Sequence, residues 1–410
     1  MFILYLSFKN CFAKPLTTLL TTILFAIGVG LIVFLLLFNT QIERQLDKNL
    51  ADVDLMVGAK GSPLQMVLSG IYHIDNPTGN VKLQDVAFLM RNPNVRQTIP
   101  QALGDAFRGF RICGTSHAYV DLYKGECAEG FLWTKDFECT IGSEVAARTG
   151  LQVGNPLVSA HGLAEGGDEH GEQPFKVVGV LQPTGTVLDQ LVLTSVASVW
   201  DMHNAHEAHH ENESMIPGDS LRSTDDMQRE ITSLLVFYKD KTSLSALNLP
   251  RLINQNTNLQ AASPLGETAR LYQLIGNGTQ MIGALGYVIA LLSAFSVFVA
   301  LLNALRERQY ELALMRLLGG SRSVLFRSIL VEGVLLAFIG TLGGFVLAHT
   351  VMAFLDKFTP TNWHYQFTGY LFLQEEIYIF CAALLIGLLA AFIPAVRAAQ
   401  TDIATTLQSV

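Results

Sequence analysis

The sequence predicts a membrane protein: four transmembrane α-helices with a large mixed α/β periplasmic domain inserted between helices 1 and 2. Three observations predict it. The chain of 410 residues is 50% hydrophobic and only 15% charged, well below the roughly 25% charge of soluble domains. Its apolar residues gather into four runs free of Asp, Glu, Lys and Arg, at 15–42, 271–305, 333–355 and 377–396. Each run reaches the roughly 20 residues that a helix needs to cross about 30 Å of hydrocarbon. Between the first two runs lie 228 residues, 43–270, whose patterning changes to short β-branched stretches and amphipathic segments.

Lys9 and Lys14 ahead of the first run resemble a signal peptide. The run is too long for a signal core, however, and no A-x-A-like cleavage site follows it, so helix 1 is read as an uncleaved anchor. Orientation follows from basic residues in the short flanks. Lys9 and Lys14 precede helix 1; Arg306, Arg308, Arg316, Arg322 and Arg327 lie between helices 2 and 3; Arg397 follows helix 4. The connection between helices 3 and 4 carries Lys357 against Asp356, Glu375 and Glu376. Both termini and the arginine-rich loop are therefore expected on the cytoplasmic side. The expected segments are 1–42 with helix 1, 43–270 as the periplasmic domain with stalk helices, and 271–305 as helix 2. They continue with 306–332 as a cytoplasmic loop, 333–355 as helix 3, 356–376 as a short periplasmic loop, 377–396 as helix 4 and 397–410 as a tail.

The exported segment holds 28 acidic and 18 basic residues, a net charge of −10, and this argues against nucleic-acid binding. Within it, strands are expected at 110–114, 118–123, 175–181, 190–195 and 233–238, all rich in β-branched or aromatic side chains. Helices are expected at 83–92, 143–150 and 195–212. Ser263 before Pro264 reads as an N-cap and first helical residue, so a helix starting there would run unbroken into helix 2. Helix 1 continues in the same way through QIERQLDKNL, giving the domain two stalks.

Chemistry-bearing motifs are sparse. No G-x-x-x-x-G-K-[ST] phosphate loop occurs, VGAKGS (57–62) lacking its spacing, and neither H-E-x-x-H nor G-x-S-x-G is present. His349 is the one ionisable group in helix 3 and is read as an interfacial packing residue. In DMHNAHEAHHENE (201–213), His203, His206 and His210 fall on one helical face with Glu207 beside them, the donor types of a zinc site; a hydrated histidine-rich loop is the alternative. HGLAEGGDEHGE (161–172) is a looser patch of the same kind. Cys113, Cys127 and Cys139 lie where disulfides are permitted, and either a Cys127–Cys139 bridge or three free thiols fits. Small residues four apart, Gly340, Gly344 and Ala348 on helix 3 and Ala383, Gly387 and Ala391 on helix 4, suit an oligomer or a tight bundle.

The arginine-rich loop carries a resemblance. RERQYELALMRLLGGSRSVLFRSILVEGVLLAFIGTLGG is similar to the signature of FtsX-like, MacB-type ABC-transporter permeases, which include macrolide-exporter and lipoprotein-release permease subunits. Glu311, Met315, Arg316, Gly319, Ser321 and Glu332 fill the motif positions, with Gly320 where alanine is usual. LSFKNCFAKPLTTLLTTILFAIGVGL resembles the family's opening helix, and IPAVRAAQTDIATTLQ its closing segment, with Ile403 in place of a proline. GSEVAARTGLQVGNPL and FKVVGVLQPTGTVLDQLVLTS resemble the extracytoplasmic core.

The resemblance implies a permease subunit, itself no enzyme, with ATP and magnesium held by a separate cytoplasmic ATPase dimer. It implies pairing with a second permease copy or a related permease, contact with membrane lipids, and a possible periplasmic or outer-membrane partner. Arg306, Arg308, Glu311, Met315, Arg316, Gly319, Gly320 and Ser321 would form the ATPase-coupling segment, the alternative being an anchor for lipid headgroups. ATP hydrolysis would drive motion of the external domain to extract or export a lipoprotein, lipid, peptide or drug-like substrate. The other readings are a regulator of a periplasmic cell-wall hydrolase and a zinc-handling subunit using the histidine cluster.

Overall fold

The computed structural model describes Tyr5, Ser7, Lys9 and residues 15–161, 174–204, 226–307, 309–358 and 367–400. These fall into two compact units, an α/β unit over Glu43–Leu274 and a helical unit drawn from the chain before and after it.

Helix α1 (Pro15–Leu50) leads into strand β1 (Leu55–Ala59) through Ala51 and Asp52, both at positive φ, 43° and 64°. The chain continues through α2 (Pro63–Gly70), β2 (Val81–Lys82), α3 (Leu83–Met90), β3 (Val95–Phe107), β4 (Phe110–Gly114), α4 (His117–Leu122), β5 (Cys127–Gly130) and β6 (Glu138–Ile141). Then come α5 (Ser143–Thr149), β7 (Pro156–Leu157), β8 (Ala160–His161), β9 (Phe175–Leu181), β10 (Val192–Thr194) and α6 (Val196–Asn204). The unit closes with β11 (Glu230–Ile231), β12 (Ser233–Tyr238), α7 (Leu244–Asn256) and β13 (Leu259–Ala262). Its main sheet runs β13-β1-β12-β3-β4-β10-β6-β9-β5, with β7 beside β9 and β8 beside β3.

Strand β3 serves both halves of this sheet. Its first half pairs with β12, ending at Gln101 opposite Ser233, and its second half pairs with β4 from Ala102 opposite Gly114. Each half has its own core. Leu55, Val57, Leu234 and Val236 pack with Leu83, Val86 and Leu89 of α3 on one side of the domain. Phe110, Ile112, Ile141, Val177 and Val192 form the other.

The expected strands at 110–114, 175–181 and 233–238 are strands, and the one at 190–195 shortens to β10 because Val187–Gln190 forms a 3-10 turn. The expected strand at 118–123 is instead helix α4. One helical turn brings Tyr119 and Tyr123 onto the same face, ring centroids 5.3 Å apart, and Tyr119 reaches the His73 ring nitrogen at 2.8 Å. That buried contact overrides the β preference of the Tyr-Val pair, which is itself a statement about packing. The expected helix at 195–212 is described as α6 to Asn204, and its remainder lies outside the described residues.

Both stalk helices are continuous. Helix α8 (Pro264–Glu307) starts at the proline, with the Glu267 N–H donating to the Ser263 carbonyl at 3.0 Å. Inside the α/β unit the stalks are tied together by the Tyr272 hydroxyl, which donates to Asp47 Oδ1 at 2.7 Å, and through Tyr72, whose hydroxyl lies 2.7 Å from Thr268 Oγ1 and donates to the Leu46 carbonyl at 3.4 Å. The end of α1 is also held by the domain: Tyr123 donates to the Asn49 carbonyl at 3.0 Å, and Asn49 Oδ1 accepts from the Val187 N–H at 3.1 Å. The Tyr123 bond satisfies one of the carbonyls that every helix C-terminus leaves open.

Cys113, Cys127 and Cys139 are free thiols, so the bridged alternative for Cys127 and Cys139 does not hold. Strand β9 lies between them, with Cys127 opposite Leu181 and Cys139 opposite Val177. Two strand spacings of about 4.8 Å already exceed the roughly 4.4–6.8 Å Cα separation of a disulfide. Burial pushes the Cys139 thiol up to about 12, which makes it inert core packing.

The helical unit contains α1, α8, α9 (Gln309–Leu317), α10 (Arg322–Phe358) and α11 (Gln374–Ala399). Four of these, all but α9, are long and apolar enough to cross a membrane. The small-residue faces are used within the chain. A Cβ on Gly344 of α10 would lie 2.8 Å from the Ala26 carbonyl oxygen and 2.9 Å from the Gly30 nitrogen, so α10 and α1 meet backbone to backbone. On α11, Gly387 abuts Ala337 of α10, and Ala391 abuts Gly333. Ser293 of α8 donates to the Leu24 carbonyl of α1 at 2.9 Å.

Candidate functional site

The segment between α8 and α10 is built on a helix that the sequence stops by design. Gly319 takes φ 97°, a conformation costly for any residue with a Cβ. The Gly320 N–H then donates to the Met315 carbonyl at 2.9 Å, and the Gly319 N–H to the Arg316 carbonyl at 3.1 Å. These two bonds are a Schellman cap, which reverses the chain after α9. Ser321 opens α10, its carbonyl accepting from the Val324 N–H at 3.1 Å and its Oγ 2.8 Å from Ser323 Oγ.

One face of α9 is fixed. Leu312 is 6% exposed and packs with Leu305, Leu325, Ile329, Ala395 and Ala398, while Ala313 is fully buried. The other face is open: Leu314, Leu317 and Leu318 are 42%, 61% and 80% exposed. Leu312 thus belongs to the inner side, apart from Leu314, Leu317 and Leu318. Arg306 and Glu311 are exposed, and Met315 and Arg316 are half-buried; Arg308 lies outside the described residues. Glu311 sits in the first turn of α9 and Arg316 in its last, which also suits the helix dipole. The segment is therefore a short amphipathic helix, anchored on one side, that offers exposed leucines beyond the exposed Glu311.

Among the described residues no group of three His, Cys, Asp or Glu side chains could hold an ion. His206, Glu207 and His210 lie outside the described residues; the backbone at His203 belongs to the end of α6. Asn49 and Tyr123, which bind the first stalk to the domain, were not singled out by the sequence, since a stalk-to-loop contact between Asn49 and Val187 leaves no local signal.

Four long apolar helices in one chain with a folded α/β unit define the class, a polytopic membrane protein. Residues 18–248 match the MacB-like periplasmic core domain, and residues 283–403 match the C-terminal part of FtsX-like permeases. The chain belongs to the FtsX-like, MacB-type family of ABC transporter permeases. It is similar to the pyoverdine export ATP-binding/permease protein PvdT of Pseudomonas fluorescens, at 25% identity over 96% of this chain and 57% of the relative. The proteins of the same name from Pseudomonas putida and Pseudomonas syringae pv. tomato are 23% and 24% identical over the same shares. The chain thus spans 57% of the length of these curated relatives.

Proposed function

We propose that this chain is the membrane subunit of an ATP-driven export machine and that α9 is its coupling helix. The observation that carries this reading is the open face of α9, where Leu314, Leu317 and Leu318 stand exposed on a helix fixed from behind by the Leu305–Leu312–Leu325 cluster. A separate cytoplasmic ATPase dimer holding ATP and magnesium docks on that face. Two permease copies, or this chain and a related permease, pair in the bacterial inner membrane with both termini cytoplasmic. Hydrolysis displaces α8 and α1, whose unbroken helices reach into the α/β unit, and the periplasmic unit moves a lipoprotein, lipid, peptide or drug-like cargo. Pyoverdine, named in the relatives, is the first cargo to try. The chain itself supplies no catalytic group.

The test is reconstitution in lipid nanodiscs with a candidate ATPase. Glu311→Arg and Arg316→Glu are each expected to weaken ATPase binding and its stimulated hydrolysis by about tenfold or more, with membrane insertion intact. Undiminished coupling in both variants would reduce the segment to a headgroup anchor. Hydrolysis that releases no cargo but activates a cell-wall hydrolase would favour a regulator of the same fold. Stoichiometric zinc lost on replacing His203, His206 and His210 by alanine would favour the metal-handling reading.

A further inference from the structure

At the opposite end of α10 the chain returns to α11 through residues 367–373, and this strap is fastened by polar groups that the permease reading does not use. Gln41 of α1, 9% exposed, grips Thr368 with both ends of its amide: Nε2 donates to the Thr368 carbonyl at 2.9 Å, and Oε1 accepts from the Thr368 N–H at 2.9 Å. The Phe367 ring stacks on Phe38 with centroids 5.7 Å apart. Gly369 lies so close to α10 that a Cβ there would collide with the His349 carbonyl. The Leu373 N–H donates to Glu376 Oε1 at 3.0 Å, which caps the start of α11.

His349 stands in the middle of these contacts. Its Nδ1 lies 2.8 Å from the Gly369 carbonyl oxygen, its Nε2 lies 3.1 Å from Glu376 Oε2, and its ring centroid is 4.6 Å from that of Phe372. The two side chains are 13% and 4% exposed. A neutral imidazole has one N–H and one lone pair. The Gly369 carbonyl can only accept, so Nδ1 carries a hydrogen. Nε2 then faces a carboxyl oxygen. If that group is ionised, Nε2 must carry a hydrogen too; if Nε2 offers its lone pair, the carboxyl must carry the hydrogen. Both arrangements hold one proton more than a neutral imidazole beside a carboxylate. Without that proton two acceptors would oppose each other in a buried site, and the pair would bear an uncompensated negative charge.

We propose that His349 and Glu376 together bind a single proton, and that this proton joins α10 to α11 beside the 367–373 strap. The groups brought onto the pair by the strap and by α11 are the Gly369 carbonyl, the Phe372 ring and the Leu373 N–H, none of which titrates. From α1 the strap receives the neutral Gln41 amide. The ionisable neighbours in sequence, Tyr370 and Tyr378, are 88% and 75% exposed, and Glu375 is exposed as well. The side chains of Asp356 and Lys357 lie outside the described residues. Without that proton the Nε2–Oε2 bond between α10 and α11 is lost, while the Nδ1 hydrogen still holds the Gly369 carbonyl. The pair is thus a proton-binding site at the point where helix 1 leaves the apolar bundle for its stalk.

The full chain in lipid nanodiscs, labelled with nitrogen-15 histidine, tests this directly. The His349 resonances are assigned by their loss in His349→Gln, and the infrared band of a protonated carboxyl by its loss in Glu376→Gln. At about pH 6, either a doubly protonated ring or a singly protonated ring with a protonated Glu376 is expected. A neutral ring beside an ionised carboxylate would overturn the proposal. In Glu376→Gln, whose amide can donate to Nε2 while still accepting from Leu373, the ring is expected to carry a single hydrogen, on Nδ1. A doubly protonated ring in this variant would equally overturn the proposal. Neither measurement involves an ATPase or a cargo, so failure here leaves the permease reading untouched.

Discussion

The α/β unit and the helical unit solve the same packing problem with opposite materials. In the α/β unit large side chains fill the interior: Leu55, Leu83, Leu89, Leu234 and Val236 are all fully buried. In the helical unit the tightest contacts are made by the smallest residues, with Gly344 against Ala26 and Gly30, and Gly387 against Ala337. Many of its large side chains point outward, Leu285, Leu291 and Phe295 of α8 being 60%, 69% and 63% exposed. The physical reason is the solvent. Water drives leucine inward, whereas lipid tails are as apolar as leucine, so helices in a bilayer gain mainly from close backbone approach. The comparison teaches that exposed leucine is ordinary on the membrane-spanning helices, even though Leu305, Leu312 and Leu325 form a buried cluster there.

The sharpest way to break this contrast is Gly344→Leu. It should force α10 away from α1, cost more than about 3 kcal/mol, and remove the folded species from a thermal-unfolding series in detergent. A stable variant would mean that the bundle tolerates separation and that small residues do not hold it. Leu234→Ala in the α/β unit should cost about 3 kcal/mol through lost burial and the cavity left behind. It is expected to lower the near-ultraviolet melting temperature without altering membrane insertion. A smaller effect is expected at the cap between the two helices of the site: Gly319→Ala should cost about 1 kcal/mol, read as faster amide exchange at Gly320, whose bond to Met315 closes the turn.

The smallest effect concerns acid. Desolvation pushes the Glu138 carboxyl up, but the Thr134 and Lys135 N–H groups and the Thr134 hydroxyl outweigh it and hold the carboxyl below its usual range. A lowered folded value means that its contribution is present above the ordinary glutamate range, about 4.3, and is lost as pH falls through the folded value. Glu138→Gln should therefore flatten the acid limb of the stability profile slightly and leave neutral pH nearly unchanged in the same melting series. A steeper acid limb would contradict the hydrogen-bond pattern.

Much of this architecture was legible in the sequence because it rests on local rules. Charge-free runs of sufficient length are a direct reading of bilayer thickness, and the Pro264 start and the Gly319–Gly320 stop are backbone chemistry carried by single residues. Strands at 110–114, 175–181 and 233–238 were readable because β-branched and aromatic residues fill the pleat. The segment at 118–123 was not, since whether Tyr119 and Tyr123 share a face depends on His73 and on the end of α1, far away in sequence. The inward turn of Leu312 was equally hidden. Its neighbours Leu325 and Ala395 come from two other helices, and nothing in the run ELALMRLL separates it from Leu314 or Leu317.

What the sequence alone determined is the solvent of each segment: which residues are apolar over a membrane-spanning length, where the positive charge collects, and where helices begin and end. What only the tertiary structure decided is pairing. Gly344 finds Gly30, Asn49 finds Val187, and His349 finds Glu376 because the folded chain brings distant backbones within hydrogen-bond or van der Waals reach. Composition fixes the free energy of transfer for each residue one at a time, whereas a partner across the fold exists only once the chain has closed on itself.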